Sequence, residues 1–96
     1  MEELNEKSLD ELLIWAISVD RRQVLMEAMK DHTIIKASDI AHETKRSTQN
    51  ISRALREFEE KNLIKCLTPD KATWKKYVLT STGKEILKKI EDEYYD

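Results

Sequence analysis

The stretch from Ser47 to Lys61 constrains the fold of this chain more than any other part of its sequence. Its apolar residues recur at the i, i+3, i+4 and i+7 spacing that places side chains on one face of a helix. These residues are Ile51, Ala54, Leu55 and Phe58. Ser47 is a favourable N-cap, and Asn62 follows the last turn, where a left-handed residue often ends a helix. The sequence therefore predicts an amphipathic helix over 47–61.

A β-hairpin is predicted directly after this helix. The segment 63–68 is expected to form one strand, and the segment 74–80 is expected to return beside it. Pro69-Asp70-Lys71 is expected to begin the turn, because proline presets φ and aspartate can hydrogen-bond its own backbone.

Four further helices are predicted from cap residues that precede apolar residues at helical spacing. Ser8 and Glu11 have the spacing of a capping box, which opens the first helix. The later helices are expected to start at the caps Asp20, Ser38 and Thr80. The second helix is expected to bury Val24, Leu25, Ala28 and Met29. The pair Ile34-Ile35 is expected to form a short strand between the second and third helices.

Two closely joined helices followed by a hairpin define a winged helix-turn-helix. The predicted fold class is therefore mainly α with a small β-hairpin wing (α+β), in a single domain over residues 1–96. Within this domain, 1–18 are expected to form an N-terminal helix, 20–80 the winged-helix core and 81–96 a C-terminal helix. A chain of 96 residues can build one hydrophobic core but is too short for two.

The charges divide the chain into a basic middle and acidic ends. Residues 36–76 contain 10 Lys or Arg against 6 Asp or Glu, whereas the rest of the chain contains 7 against 13. This asymmetry is expected when one face of a protein meets phosphate, although the net charge is −2.

No apolar run approaches the roughly 20 residues that span a bilayer. One cysteine cannot form an internal disulfide, so a cytoplasmic protein without membrane contact is expected.

The predicted helix over 47–61 carries polar side chains that are suited to reading DNA. When its apolar face lies in the core, Gln49, Arg53 and Arg56 lie on the opposite face. Arginine can hydrogen-bond guanine, and glutamine or asparagine can hydrogen-bond adenine. These residues stand in the first half of the helix, which is the half that usually touches base edges. Three glutamates follow between residues 57 and 60, away from an approaching polyanion.

Further cations flank this helix in the sequence. Lys71, Lys75 and Lys76 lie at or beside the hairpin tip, and Lys45-Arg46 occupy the turn between the two helices. The full set of predicted DNA contacts is Ser38, Lys45, Arg46, Ser47, Thr48, Gln49, Asn50, Ser52, Arg53, Arg56, Lys71, Lys75 and Lys76. The alternative interpretation is an ordinary surface helix and a hairpin tip that are polar for solubility alone.

Several segments resemble MarR-like and ArsR-like winged-helix regulators. They are Ser38-Asp39-Ile40-Ala41, the segment 47–52, and Leu55 together with the segment 59–64. The run Tyr77-Val78-Leu79-Thr80, with Gly83 after it, is similar to many small archaeal transcriptional regulators. The resemblance implies a three-helix core with a wing, sequence-selective binding of double-stranded DNA, and commonly a homodimer.

Three positions depart from the pattern of these families. Lys45 stands in the turn where the families usually have glycine, and Arg46 stands where they usually bury an aliphatic residue. The wing has Trp74-Lys75-Lys76 where many relatives carry Gly-Arg, so it lacks the arginine that would enter the minor groove.

The terminal helices carry more apolar residues than one side of a small core is expected to bury. The predicted dimerisation residues are Leu9, Leu12, Leu13, Trp15, Ile86, Ile90 and Tyr94. A two-fold dimer would place two recognition helices about 34 Å apart, which is one turn of DNA. The alternative is that the two helices pack on each other within one chain.

Other classes of function find less support in the sequence. Metal sensing needs several ligands at close spacing, whereas Cys66 is expected in the core and His32 and His42 on the surface. No nucleophile has an obvious base partner and no glycine-rich phosphate loop is present, so neither an enzyme nor a cofactor is expected. The remaining rival is a winged helix that binds another protein instead of DNA.

Overall fold

The computed structural model describes residues 6–94, and in that part of the chain it contains five helices and one antiparallel hairpin. The helices are α1 Glu6–Ile17, α2 Asp20–Met29, α3 Ala37–Thr44, α4 Thr48–Glu60 and α5 Ser81–Tyr94. The strands are β1 Ile64–Cys66 and β2 Tyr77–Leu79. The predicted fold class, mainly helical with a β-hairpin wing, is confirmed.

The hairpin is shorter than predicted, because β1 and β2 pair over three residues each. Beyond them, the backbone N–H of Lys76 donates a hydrogen bond of 3.1 Å to the hydroxyl of Thr68. A side chain thus takes the place of a backbone acceptor, which interrupts the regular ladder. The predicted strand at Ile34-Ile35 reduces to a single bridge, in which Ile35 and Tyr77 exchange backbone hydrogen bonds of 2.8 and 2.9 Å.

Two of the predicted helix caps are confirmed. The backbone N–H of Asn50 donates to Ser47 Oγ at 3.0 Å at the start of α4. At the start of α5, the backbone N–H of Gly83 donates to Thr80 Oγ1, also at 3.0 Å. Each bond satisfies one of the N–H groups that a helix leaves unpaired in its first turn.

The other three predicted caps are wrong, because Ser8, Asp20 and Ser38 lie inside their helices. The residues that precede α2 and α3 are Val19 and Lys36, and neither makes a side-chain cap hydrogen bond. Serine and aspartate are also common in a first helical turn, where a carboxylate interacts favourably with the helix dipole. The residue type alone therefore does not separate the cap from the turn that follows.

The core follows the apolar face that the sequence predicts for α4. All four predicted residues of that face are buried, and Phe58 and Ile51 are completely inaccessible. In α2 one prediction is wrong. Val24 was expected in the core but is only half-buried, whereas Met26, which was not predicted, is buried.

The apolar stripes of α1 and α5 face each other within one chain. Leu9, Leu13, Ile86 and Ile90 are buried in the common core. The expected surplus of apolar surface is therefore wrong for these four residues, since a second copy of the chain cannot reach them. Leu12 and Trp15 remain half-buried, and the side chain of Tyr94 lies outside the described residues.

Candidate nucleic-acid interface

The outer face of α4 is exposed along its first half. Thr48, Gln49, Arg53 and Arg56 are exposed, and Ser52 is half-buried. Within residues 6–94, neither Arg53 nor Arg56 has an ion-pair partner. Both guanidinium groups are therefore available to an anion that approaches this face.

The inner side of α4 is held on α2 by an ion-pair cluster around Glu57. Arg21 donates two hydrogen bonds to this carboxylate, of 2.8 Å from Nε and 2.6 Å from Nη2. Arg22 adds a contact of 3.2 Å from Nη2. The hydrogen bonds from Arg21 lower the pKa of Glu57 to about 2, and those from Arg22 act in the same direction. Glu57 is thus a partner of α2 and not a free carboxylate at the end of the helix.

Trp15 extends this cluster to α1. The guanidinium of Arg22 lies 4.1 Å from the centre of the indole ring, and Arg22 Nη1 donates a hydrogen bond of 3.2 Å to the Trp15 carbonyl. The ring of Phe58, on the buried face of α4, lies 5.4 Å from the indole. Three helices therefore meet around one tryptophan, which fixes the direction in which α4 projects.

The turn between α3 and α4 contains one residue with a strained backbone, Lys45, and one residue held by an ion pair, Arg46. Lys45 adopts the left-handed conformation, with φ 58° and ψ 35°, at a position where the resembling families have glycine. The guanidinium of Arg46 forms an ion pair with Asp20 at the start of α2. The side chain of Lys45 is exposed, whereas that of Arg46 is directed back to the protein by this pair.

Asn50 is less accessible than the sequence suggests. Its side-chain oxygen is buried and, among residues 6–94, has no hydrogen-bond donor. It lies in a shallow depression of about 370 Å³ that is lined by Thr44, Lys45, Arg46, Ser47 and Asn50. An amide that lacks a partner in the free protein can gain one when a ligand fills the depression.

A groove of about 540 Å³ separates α4 from the hairpin, and we call it the wing groove. Its cationic lining residues are Lys36, Arg56, Lys75 and Lys76, and its one carboxylate is Glu59. Ser38, Thr48 and Ser52 add hydroxyl groups from α3 and α4. The groove therefore combines an excess of positive charge with hydroxyl groups and apolar side chains, beside the exposed face of α4.

The structure brings most predicted contact residues into two neighbouring places, the wing groove and the turn before α4. Lys71 lies outside both, in the hairpin turn, where its backbone N–H donates to the Thr68 carbonyl at 3.1 Å. Sequence reasoning missed Lys36 and Trp74 as groove residues. Lys36 is a single lysine before a helix, and no local pattern shows that α3 places it opposite the hairpin.

The residues considered for a metal site do not come together. Within residues 6–94, no group of three or more His, Cys, Asp or Glu side chains is close enough to hold a metal ion. Cys66 is partly buried against the core. His32 is not a simple surface residue, because its Nε2 lies 2.9 Å from a carboxylate oxygen of Glu43. Nor does any helix of this part of the chain have the length and apolar character to cross a membrane.

Comparisons with known proteins identify the fold. The chain matches no protein-family model, and no curated protein is significantly similar to it in sequence. Reduced HlyU from Vibrio cholerae is similar in structure, with a TM-score of 0.70 and 18% identity over 94% of this chain and 93% of that chain.

Two further solved structures agree with this match. The MepR A103V mutant from a multidrug-resistant S. aureus clinical isolate has a TM-score of 0.64 and 24% identity, over 93% of this chain and 69% of that chain. NolR from Sinorhizobium fredii has a TM-score of 0.64 and 16% identity, over 98% and 97%. All three source organisms are bacteria, so these neighbours do not support the archaeal resemblance. The chain therefore has a winged-helix fold, which it shares with these three proteins.

Proposed function

We propose that this protein is a transcriptional regulator that binds double-stranded DNA, with α4 in the major groove and the hairpin on the adjacent backbone or minor groove. The observation that carries the proposal is the wing groove, which is lined by the four cations Lys36, Arg56, Lys75 and Lys76 and by a single carboxylate. Phosphate contacts from lysine and arginine supply most of the affinity of DNA-binding proteins. A duplex that follows the groove would bring its major groove to the exposed face of α4.

The exposed face of α4 supplies the groups for reading a sequence. Arg53 and Arg56 are exposed and have no internal ion-pair partner in the described chain, and Gln49 is exposed one turn before Arg53. Arginine bound to guanine through two hydrogen bonds is the most frequent specific contact in the major groove. Arg21 and Arg22 of α2 do not belong to this exposed face. Both pair with Glu57 on the inner side of α4.

The first experiment tests DNA binding itself. A labelled duplex of about 30 base pairs is long enough for two half-sites one helical turn apart. Its affinity for the protein is measured by fluorescence anisotropy across a salt series, and we expect binding that weakens linearly in log–log form as salt rises. Lack of binding at low salt would contradict the proposal and favour a winged helix that docks another protein.

The second experiment separates base contacts from phosphate contacts on a duplex selected from a random-sequence pool. Arg53→Ala should weaken binding to the selected duplex by about 1–3 kcal/mol and have less effect on unselected DNA. Lys76→Ala should weaken binding to both and lower the salt slope by about 1. Lys88→Ala removes a matched exposed cation from α5 and should change neither. Equal effects of all three variants would contradict sequence-selective readout by α4.

We also propose a homodimer, formed through α1. Ile14 is 60% exposed on this helix, and Leu12 is half-buried, whereas the predicted dimer residues Leu9, Leu13, Ile86 and Ile90 lie in the core. An apolar side chain as large as isoleucine gains about 1.5–3 kcal/mol when it is fully buried. Light scattering should show a dimer at micromolar concentration and a shift toward monomer for Ile14→Glu. A monomeric parent protein would remove this part of the proposal.

A further inference from the structure

Trp74 combines the greatest exposure of any large apolar residue in the described chain with an unfavourable backbone conformation. Its side chain is 79% exposed, and its φ of 60° lies in the left-handed region. A bulky residue in this region is a conformational outlier, and such outliers are concentrated at functional sites. The indole has no ring contact within residues 6–94, in contrast to Trp15. Packing of the free protein therefore does not explain the conformation of Trp74.

The exposed indole of Trp74 lies at the wing groove. Trp74 lines the wing groove from the hairpin side, while Thr48, Ser52 and Arg56 line it from α4. The floor contains the buried side chains of Leu55 and Tyr77. A strand that enters the groove would therefore meet cations, hydroxyl groups and one large aromatic surface together.

We propose that Trp74 is a contact residue of the DNA interface, whose indole packs against a nucleotide of the strand that runs through the wing groove. The proposal rests on the proposed function and names the residue that replaces the missing wing arginine. Lys75 and Lys76 follow directly and line the same groove, so they can hold the phosphates of that strand while the indole covers its apolar part. In a duplex the faces of the bases are covered by their neighbours, so the apolar surface that the indole can cover is the deoxyribose of the backbone.

The charge around Trp74 favours a nucleic acid strand over a protein segment. Four of the groove residues are cations and one is a carboxylate, which suits a regularly charged polyanion. A volume of about 540 Å³ is within the range of roughly 300–1,000 Å³ typical of sites for small organic groups. The groove can therefore hold a short part of one strand, whereas the rest of a duplex would lie outside it against α4.

The first test compares three variants in the anisotropy assay with the duplex described above. Trp74→Ala should weaken binding about 5- to 30-fold, which corresponds to about 1–2 kcal/mol for the partial burial of one large apolar side chain. It should leave the salt slope unchanged because no charge is removed. Trp74→Phe should retain most of the affinity, since an aromatic face remains. Lys76→Ala is the matched control beside it, for which the salt slope should fall by about 1. The melting temperature of each variant is measured to show that the fold is intact.

The second test uses the emission of the indole itself. The chain has two tryptophans, so Trp15→Phe leaves Trp74 as the sole emitter and Trp74→Phe leaves Trp15. Addition of the duplex should change the emission of the Trp15→Phe variant and protect it from acrylamide quenching. The emission of the Trp74→Phe variant should stay nearly constant, because Trp15 is covered by Arg22 and Phe58.

The outcomes of these tests separate the two proposals. Binding of DNA with unchanged Trp74 emission, together with normal affinity of Trp74→Ala, would overturn the inference and leave the proposed function standing. Lack of binding by the parent protein at low salt would overturn both.

Discussion

The left-handed conformation of Lys45 is set by the position of this residue at the end of α3 and not by its chemistry. For an L-residue other than glycine, this conformation costs roughly 1–2 kcal/mol, whereas glycine adopts it freely. The side chain is exposed, so packing does not compensate. An exposed lysine at a strained position beside the start of α4 is consistent with a role in phosphate contact.

Lys45→Gly is therefore expected to stabilise the fold by about 0.5–1 kcal/mol, after the greater freedom of glycine in the unfolded chain is subtracted. The same variant should weaken DNA binding, since one cation is lost. Urea unfolding and anisotropy measure the two effects. Asn62→Gly is the matched control: Asn62 has a φ of 65°, but asparagine tolerates this region, so the gain should be smaller. A destabilised Lys45→Gly protein would contradict the strain argument.

Glu57 is the residue whose protonation most affects how α4 is held. Its pKa is lowered from 4.5 to about 2, mainly by the hydrogen bonds from Arg21. A carboxyl group with a depressed pKa in the folded state contributes stability that is present above its unfolded pKa. This contribution is lost as the pH falls through the window from 4.5 to about 2.

Glu57→Gln is expected to lower the free energy of unfolding by about 1–2 kcal/mol near neutral pH, because charged hydrogen bonds to two arginines are lost close to the surface. The difference from the parent protein should shrink as the pH falls from 4.5 toward about 2. Denaturant unfolding across this range gives the measurement. Glu60→Gln removes an exposed carboxylate three residues away and should have little effect at any pH. A gap that stays constant with pH would show that Glu57 acts through packing alone.

At the scale of elements, the first residue of α2 changes the charge of the turn between α3 and α4. Asp20 pairs with Arg46 of the turn, so an arginine beside the proposed phosphate path is partly neutralised in the free protein. DNA phosphate and the Asp20 carboxylate compete for the same guanidinium. The pair is exposed, and such pairs contribute only about 0.2–1 kcal/mol, so a phosphate can displace the carboxylate.

Asp20→Asn is expected to tighten DNA binding about 2- to 5-fold, which equals the free energy of one exposed ion pair. The stability of the fold should change by less than about 0.5 kcal/mol. Combining the substitution with Arg46→Ala should abolish the gain, because the released guanidinium is then absent. Unchanged affinity in Asp20→Asn would mean that Arg46 does not contact DNA.

The elements also show which features a sequence can predict. Ser47, Thr80 and the buried face of α4 were predictable because each depends on neighbours within one or two helical turns. The pairing of Glu57 with Arg21 and Arg22 was not, since it depends on how α4 packs across α2, and the partners are 36 and 35 residues apart. For the same reason the terminal helices were assigned a surplus of apolar surface. Their stripes are buried by each other, which the sequence of either helix does not show.

For the whole molecule, the uneven distribution of charge along the sequence becomes an uneven distribution of charge over the surface. The basic middle of the chain supplies α4, the turn before it and the wing groove. The acidic last part supplies α5, which packs against α1 and β2 and exposes Glu91, Asp92 and Glu93. A chain with a net charge of −2 can thus present a groove that is lined by four cations and one carboxylate.

Glu91, Asp92 and Glu93 line neither the wing groove nor the depression at the turn before α4, so we expect them to act on DNA only through long-range repulsion. The described chain has principal dimensions of 35 × 30 × 20 Å. The Debye length is about 8 Å at 0.15 M salt and about 30 Å at 0.01 M, so only dilute salt lets charges interact across such distances. The carboxylates of α5 should therefore repel DNA in dilute salt and have little effect at physiological salt.

Replacing Glu91, Asp92 and Glu93 by their amides should therefore tighten DNA binding a few-fold near 0.01 M salt and leave it unchanged near 0.15 M. Anisotropy titrations of the triple variant and the parent protein at both salt concentrations give the comparison. The matched control is Glu59→Gln in the wing groove, which removes one carboxylate beside the proposed phosphate path. Its gain should persist at 0.15 M, because a charge within the interface is not screened by bulk ions to the same degree. A gain for the triple variant that also persists at 0.15 M would place α5 in contact with DNA and contradict an interface formed by α4 and the hairpin alone.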